Sequence, residues 1–594
     1  MIQERLQLLR KAMEAADIDC YLIPTSDYHD SEYVSGFFMV RKYFSGFTGS
    51  AGTLVVTAGE AALFTDGRYF IQAGEELSGT SIRLMKMGEP GVPTLKEYID
   101  SVLSPGQTLG FDGRVVRADE AEDFEEILDK KQGRILWDCD LAEGIWKDRP
   151  PLPDQPVWIL EDCCSGQSTA EKLKRVRERM EEEKADVHIL TSLDDIAWLL
   201  NLRGSDVDYC PVFLSYAVIR MDQVLLFAGR AWPDEIRSYL EANGVEQRPY
   251  QDFYDYAAAI RGEKVLICRG RINYRLHRIL KEHAEVIDRP NPTSMMKAVK
   301  NPVEIENLRK SHLKDGIAVT RFMYWLKNNA GKIPMTEVSA AEYLEQLRRK
   351  EEGFIEPSFE TISAYGANGA IIHYSPKVED CAQIRPYGLL MVDSGGHYRE
   401  GTTDITRTFV LGEVTGEMKR HFTLVLRAML RLKNTRFLYG CRGINLDIRA
   451  REVLWEQGMD YKHGTGHGVG YLLNVHEGPN SFRWKLMPDY QDNAVLEEGM
   501  VTTDEPGIYI EGSHGIRIEN ELLCRKGQKN EYGQFMYFED LTCVPIDLDG
   551  VELSLLDETE RKWLNEYHKE VYQRLEPYFT GKELAWLKEA TRCI

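Results

Sequence analysis

The sequence predicts a mixed α/β (α+β) protein of three bodies, in which the second duplicates the first and the third carries the chemistry. Three observations predict it. A chain of 594 residues is too long for one hydrophobic core, so two to four domains are expected. Strand-like apolar runs alternate with helical, charged stretches, the pattern of mixed layers. Three segments of the second body echo three of the first in the same order, as a duplication does.

In chain order, residues 1–19 read as a helix and Cys20–Pro24 as a strand, with further strand segments in 49–56 and 62–68. The glycine-rich run Gly46–Gly52 lacks the lysine that a phosphate loop requires. Four prolines within Pro150–Pro156 mark a connector. Ser168 and Glu171 form a capping box that opens a charged helix, Lys172–Lys184. The echoes follow: 186–192 repeats 19–25, 224–230 repeats the segment ending at Gly67-Arg68, and 264–271 repeats 108–114. The third body begins near Pro292 with a helix, Val303–Leu326, whose Val319, Phe322, Met323 and Leu326 share a stripe. Residues 389–410 and 501–524 read as two hairpins. In the second, Ile516, Ile518 and Leu522 fall on one face and Arg517, Glu519 and Glu521 on the other. A helix around Asp447–Gln457 ends at Gly458, and Trp563, Leu564, Tyr567, Val571 and Leu575 mark a packed tail helix. The expected domains are 1–153, 154–295 and 296–594.

Composition narrows the function classes. The net charge is 73 − 95 = −22, which opposes binding to nucleic acid, and no basic run argues otherwise. No apolar run approaches the ~20 residues of a membrane helix. Met1–Lys11 is amphipathic with no continuous apolar core, so no secretory leader is expected. Eleven cysteines, scattered and odd in number, read as reduced thiols, and a cytoplasmic protein is expected.

The chemistry gathers between Asp393 and Glu519. An apolar run, Leu389–Val392, delivers Asp393 to a Ser-Gly-Gly turn. Asp404 follows in Gly401-Thr402-Thr403-Asp404, His467 lies in His463-Gly-Thr-Gly-His467-Gly-Val-Gly, Glu505 precedes Pro506-Gly507, and Glu519 lies in Arg517-Ile518-Glu519-Asn520. Taken singly, an aspartate before glycine is a turn residue, and a glutamate on a strand is a solvated face. As a set, four carboxylates and one imidazole offer −4 against the +4 of two divalent cations, which repel unless oxygens bridge them. In two-metal sites the ions lie ~3.5–4 Å apart. Oxygen-rich ligation with one nitrogen suits manganese, and also cobalt, iron or zinc, and it is unlike the cysteine-rich sites of structural zinc.

These motifs resemble those of the pita-bread metallopeptidases, a group that includes methionine aminopeptidase, prolidase, aminopeptidase P and the metal-free creatinase. Asn368–Tyr374, Asn474–Pro479 and Phe44–Gly52 resemble the large three-domain cytosolic type of aminopeptidase P, and the likeness spans nearly the whole chain. It departs at Phe37–Tyr43, and the linker between His476 and Glu505 looks longer than in that group. The resemblance implies two creatinase-like N-terminal domains before a pita-bread catalytic domain with a helical extension. It implies removal of the first residue from peptides with proline second, by a hydroxide bridging two divalent metals, with manganese the first choice and zinc or cobalt the alternatives. Asp393 would be the terminal ligand of one metal, Asp404 and Glu519 the bridges, and His467 and Glu505 the terminal ligands of the other. Glu505 would also transfer the proton. His373 and His476 would contact the substrate carbonyl and the developing oxyanion, and His463 would be a third pocket histidine. Arg517, two residues from Glu519, would hold Asp393. A homodimer is implied, with proline-containing peptides as the partners. The competing readings are a prolidase limited to Xaa-Pro dipeptides and a metal-free binding protein of the same fold.

Overall fold

The computed structural model describes residues 1–229, 232–486 and 493–594. Arg230, which closes one repeated segment, and residues 487–492 of the long linker lie outside the described residues. The chain resolves into two units, one of residues 1–162 and 167–294 and one of residues 163–166 and 295–594.

The first unit holds two six-stranded sheets. The first contains β1 (Cys20–Pro24), β2 (Thr53–Thr57), β3 (Ala61–Thr65), β4 (Ile82–Lys86), β5 (Thr108–Gly110) and β6 (Arg134–Leu136), in the order β4-β3-β2-β1-β5-β6. The second contains β7 (Val187–Leu190), β8 (Ser215–Arg220), β9 (Val224–Ala228), β10 (Val245–Pro249), β11 (Lys264–Ile267) and β12 (Glu285–Asp288), in the order β10-β9-β8-β7-β11-β12. In both, the central strand pairs antiparallel with the next strand and parallel with the fifth. The three echoes therefore land on equivalent strands: β1 and β7, β3 and β9, β5 and β11. The duplication holds at the level of topology.

Local chemistry sets the element ends. The first helix buries Leu6, Leu9 and Met13 but stops at Ala15, four residues short of the expected end. The reason is Asp17, whose φ of 55° turns the chain into β1. The Ser168–Glu171 capping box forms, and its helix runs Thr169–Glu183.

In the second unit, the helix Pro302–Asn329 starts at a capping box between Asn301 and Glu304, with proline in its first turn. Its predicted stripe packs with Leu390, Val392 and Phe409 in one core cluster. A larger cluster joins the helix Gly416–Lys433 to Ile516, Ile518 and Leu522, and to Leu564, Tyr567, Val571 and Leu575 of the tail helix Glu558–Leu575. Each such buried side chain stabilises the fold by about 1.5–3 kcal/mol relative to exposure.

Two expectations need correction here. Residues 501–524 are not one hairpin. Val501–Asp504 pairs with the start of Asn520–Asn530, and a smaller hairpin, Gly507–Ile510 with His514–Arg517, is nested between them. Ile518 and Glu519 lie between strands, where the chain passes from one ladder to the other. The helix around Asp447 is also two short helices, Gly443–Leu446 and Ile448–Trp455. The Asp447 carboxylate is held there by the Thr465 hydroxyl and by Arg451.

Candidate active site

Two sheets of the second unit deliver the site. In one, the buried run Leu389–Ser394 lies between Ile362–Tyr365 and Ile405–Val410, with Asp393 opposite both Ile362 and Thr406. Asp404 immediately precedes the third of these strands. The other sheet places Gly466–Gly468 beside Val501–Asp504, which pairs with Asn520–Asn530. His467 therefore sits mid-strand, and Glu505 and Glu519 sit at strand ends. Glycine is required at 466, because a Cβ there would lie 1.8 Å from the Thr503 carbonyl oxygen. That close approach explains the glycine spacing around His467.

The sheets are stitched together at the ligand-type residues. Glu519 N–H donates to the Thr406 carbonyl (3.1 Å), and the Thr406 hydroxyl donates to Glu519 Oε2 (2.8 Å). Asp404 N–H donates to Glu521 Oε1 (2.6 Å), and His312 Nε2 lies 3.1 Å from that same oxygen.

Donor atoms of Asp404, His467 and Glu519 all lie within 4.8 Å of one another, the span of one cation's coordination shell. His467 Nε2 is 3.5 Å from both Asp404 Oδ2 and Glu505 Oε1. Its Nδ1 meets the Gly468 carbonyl at 2.9 Å. That contact assigns the proton to Nδ1 and leaves the Nε2 lone pair facing the carboxylates. Asp393 lies outside this triad, and its Oδ2 is gripped by Arg517 through Nη2 (2.7 Å) and Nε (3.0 Å). Asp393 Oδ1 and Asp404 Oδ1 are buried and have no hydrogen-bond partner.

The electrostatics are those of crowded anions. Burial pushes the Asp404 carboxyl well above the ordinary carboxylate range, and Asp393 and Glu521 add to it against His476 and Arg517. Burial does the same to Glu519, reinforced by Asp404, Asp393 and Glu505. Glu505 is pushed up to about 7, again by burial first, with His467 and Arg517 opposing. Buried carboxylates this close prefer to be neutral unless a cation balances them.

The remaining predicted residues surround this group. The His476 ring meets His467 edge to face at a 4.3 Å centroid separation. His373 is half-buried and directly follows Ile372, whose carbonyl accepts from Arg517 Nη2 (3.1 Å). His463 has both ring nitrogens engaged, Nδ1 with the Gly464 carbonyl (2.7 Å) and Nε2 with the Tyr509 hydroxyl (2.9 Å). Burial, with Arg517 adding, holds it well below the usual histidine range, so it is a neutral acceptor for Tyr509. Arg517 Nη1 donates to the same hydroxyl (2.6 Å).

Sequence reasoning passed over Thr406, Tyr509 and His312 as site residues. Glu521 carried a signal, since it shares the alternation of Arg517 and Glu519, whereas a lone histidine on a helix and a tyrosine in a strand carried none.

Comparison with known proteins gives the family. The family model for metallopeptidase family M24 matches residues 306–526, and its C-terminal region matches 534–594. The creatinase/prolidase N-terminal domain matches twice, at 5–140 and 148–304. Aminopeptidase P2 of Arabidopsis thaliana is 39% identical, covering 100% of this chain and 88% of that one. A probable Xaa-Pro aminopeptidase P of Laccaria bicolor is 39% identical over 98% of this chain and 92% of its own. The crystal structure of an X-prolyl aminopeptidase from Caenorhabditis elegans, described as a cytosolic enzyme with a di-nuclear active site, matches with TM-score 0.95 at 33% identity over 100% of both chains. A prolidase from Pyrococcus horikoshii matches with TM-score 0.50 at 26% identity, covering 64% of this chain and 99% of that one. With a pita-bread catalytic domain behind two creatinase-like domains, the chain belongs to the aminopeptidase P group of the M24 metallopeptidases.

Proposed function

We propose that this site removes the first residue from peptides with proline in second position, using two divalent cations held by Asp393, Asp404, His467, Glu505 and Glu519. The observation that carries the reading is the cluster of buried carboxylates, two of them with unpartnered oxygens, around one oriented imidazole. Such a donor set fits cations and leaves them nearly neutral overall. Asp404 and Glu519 would serve both cations, His467 and Glu505 would complete the holding of one, and Asp393 that of the other. Oxygen-rich ligation makes manganese the first choice, with zinc or cobalt as alternatives. When bound, such cations supply Lewis acidity, which makes water acidic enough to attack a peptide carbonyl near neutral pH.

The side chains supply the rest. Glu505 takes the proton of the attacking water and returns it to the departing proline nitrogen. His373 and His476 hold the substrate carbonyl and the charge that develops on it. Arg517 fixes Asp393, and His463 with Tyr509 fixes Arg517 from its other side. The scissile bond is a tertiary amide with no N–H, so a pocket that offers no acceptor there admits proline.

The division into domains 1–153, 154–295 and 296–594, the homodimer and the cytoplasmic location belong to the same proposal. The location is supported by the description of the Caenorhabditis elegans relative as cytosolic. No helix among the described residues is long and apolar enough to cross a membrane. The prolidase reading is weaker, because the matched prolidase covers only 64% of this chain. The metal-free reading is weaker because all five ligand-type residues are present.

The test is cleavage of an Xaa-Pro-Xaa tripeptide, an Xaa-Pro dipeptide and an Xaa-Ala-Xaa control, before and after exhaustive chelation. The expected result is release of the first residue from the tripeptide, lost on chelation and restored by manganese. Activity that survives metal removal, or confined to the dipeptide, overturns the proposal.

A further inference from the structure

Outside the ligand cluster, the most densely engaged anion near the site is Glu337, at the N-terminus of the helix Glu337–Arg348. Its side chain is fully buried. Oε1 accepts from the Tyr365 backbone N–H (2.6 Å) and from Asn368 Nδ2 (3.0 Å). Oε2 accepts from the Tyr374 hydroxyl (2.8 Å) and from the Ala382 backbone N–H (2.7 Å). Among the described residues no cation pairs with it. A buried carboxylate without a counter-ion costs several kcal/mol unless donors surround it, and here four donor groups do so, at the favourable end of a helix.

The segment these donors define carries His373. Tyr365 ends the strand that pairs with the Asp393 strand. Asn368 lies in the turn Gly366–Ala370, and Tyr374 is the next residue after His373. On the other side of His373, the Ile372 carbonyl is tied to Arg517. Both neighbours of this histidine are thus anchored, one on the guanidinium that holds Asp393 and the other on Glu337.

We propose that Glu337 is a positioning residue for the reaction, its carboxylate fixing the loop 365–382 so that the His373 ring faces the substrate. This rests on the role given to His373 above. Replacement by glutamine is not conservative. In either orientation the amide N–H2 meets a backbone N–H, that of Tyr365 or that of Ala382, which cannot turn to accept, so the loop must move. A misplacement of about 1 Å at a catalytic group is enough for a hundredfold loss of rate.

The test uses the full chain loaded with manganese. In Glu337→Gln, kcat for the tripeptide should fall about 10- to 100-fold with KM changed less than about threefold. In a His373→Phe background the same substitution should cost less than about threefold, because there is no ring left to position. Tyr374→Phe removes a single donor and should give a smaller loss of the same kind, which serves if Glu337→Gln does not fold. An arm independent of turnover is the rate at which diethyl pyrocarbonate acylates His373, read by peptide mass spectrometry. It should change in Glu337→Gln and Tyr374→Phe while that of His283, on the first unit, stays constant. Equal losses in the two backgrounds, or an unchanged His373 acylation rate in a folded variant, overturn the proposal. If the wild type does not cleave Xaa-Pro peptides, the functional reading fails, and the acylation arm still decides whether Glu337 sets His373.

Discussion

Arg517→Lys separates the charge of the guanidinium from its shape. The Arg517 side chain makes five hydrogen bonds: two to Asp393 Oδ2, and one each to the Thr406 hydroxyl, the Tyr509 hydroxyl and the Ile372 carbonyl. A lysine keeps the positive charge but concentrates its donors on one nitrogen, which cannot reach Asp393 and Tyr509 together. Losing two such bonds, at about 1.5–3 kcal/mol each, destabilises the metal-free protein by about 3 kcal/mol or more. Asp393 is then no longer held in one orientation, and loss of such a supporting contact costs about 10- to 100-fold in metal affinity. That corresponds to about 1.4–2.7 kcal/mol. By linkage, the variant must lose that much more stability in saturating manganese than in chelator. Calorimetric titration of apo-protein with manganese gives the affinity, and denaturation with and without metal gives the difference. A variant that binds manganese as tightly as the wild type refutes the reasoning.

Four other substitutions probe the same molecule. Glu505→Gln should keep the fold and lose at least about a hundredfold in turnover; full turnover would remove Glu505 from proton transfer. Gly515→Ala puts a methyl group 1.6 Å from the Gly369 carbonyl oxygen, so it should cost about 1–3 kcal/mol in chemical denaturation and lower activity by parting the Arg517 hairpin from the His373 turn. Gly512→Ala in the same hairpin meets no atom but has φ +72°, and should cost about 1–2 kcal/mol of backbone strain alone, with activity retained. Far from the site, burial pushes His188 of β7 down to about 4. Its neutral ring supports folding fully above the unfolded-state value near 6.5, and that support is lost as pH falls toward 4. The loss amounts to about 2 kcal/mol between pH 6.5 and 5. His188→Phe should flatten denaturation midpoints across that range by this amount, and an unchanged pH slope would contradict the assignment.

The sequence disclosed what local pattern encodes. Cys20–Pro24 is a strand with the expected ends, because its residues alternate into two cores and a turn follows. The repeated segments declared a duplicated topology, because central strands keep their apolar runs. The five ligand-type residues stood out because close strand approach demands glycine beside them, as at Gly466. What stayed hidden is long-range pairing. Glu521 acts on the Asp404 amide 117 positions away, and Arg517 acts on Asp393 across 124. No periodicity carries that information. The nested hairpin was missed for a related reason: Ile516, Ile518 and Leu522 keep an apolar alternation through the break between ladders, so the pattern alone reads as one continuous strand.

The hidden contacts share a logic. Asp404, Glu505 and Glu519 are each made harder to ionise by burial and by the carboxylates beside them, Asp393 included, and Arg517 is the fixed cation placed against them. Its charge alone cannot balance four carboxylates, and it reaches only Asp393 directly. The fold therefore builds an anionic cluster that its own cations leave uncompensated, and it holds that cluster with contacts placed behind the ligand atoms: Thr406 on Glu519, Thr503 on His467 N–H, and Glu521 on the Asp404 amide. These contacts orient the donors without occupying their inward-facing oxygens. A cluster whose purpose was stability would have its oxygens capped by the same hydroxyls and amides. Asp393 Oδ1 and Asp404 Oδ1 stay buried and unpartnered, and a cation bound there would return the free energy that the fold gives up to keep them apart from water.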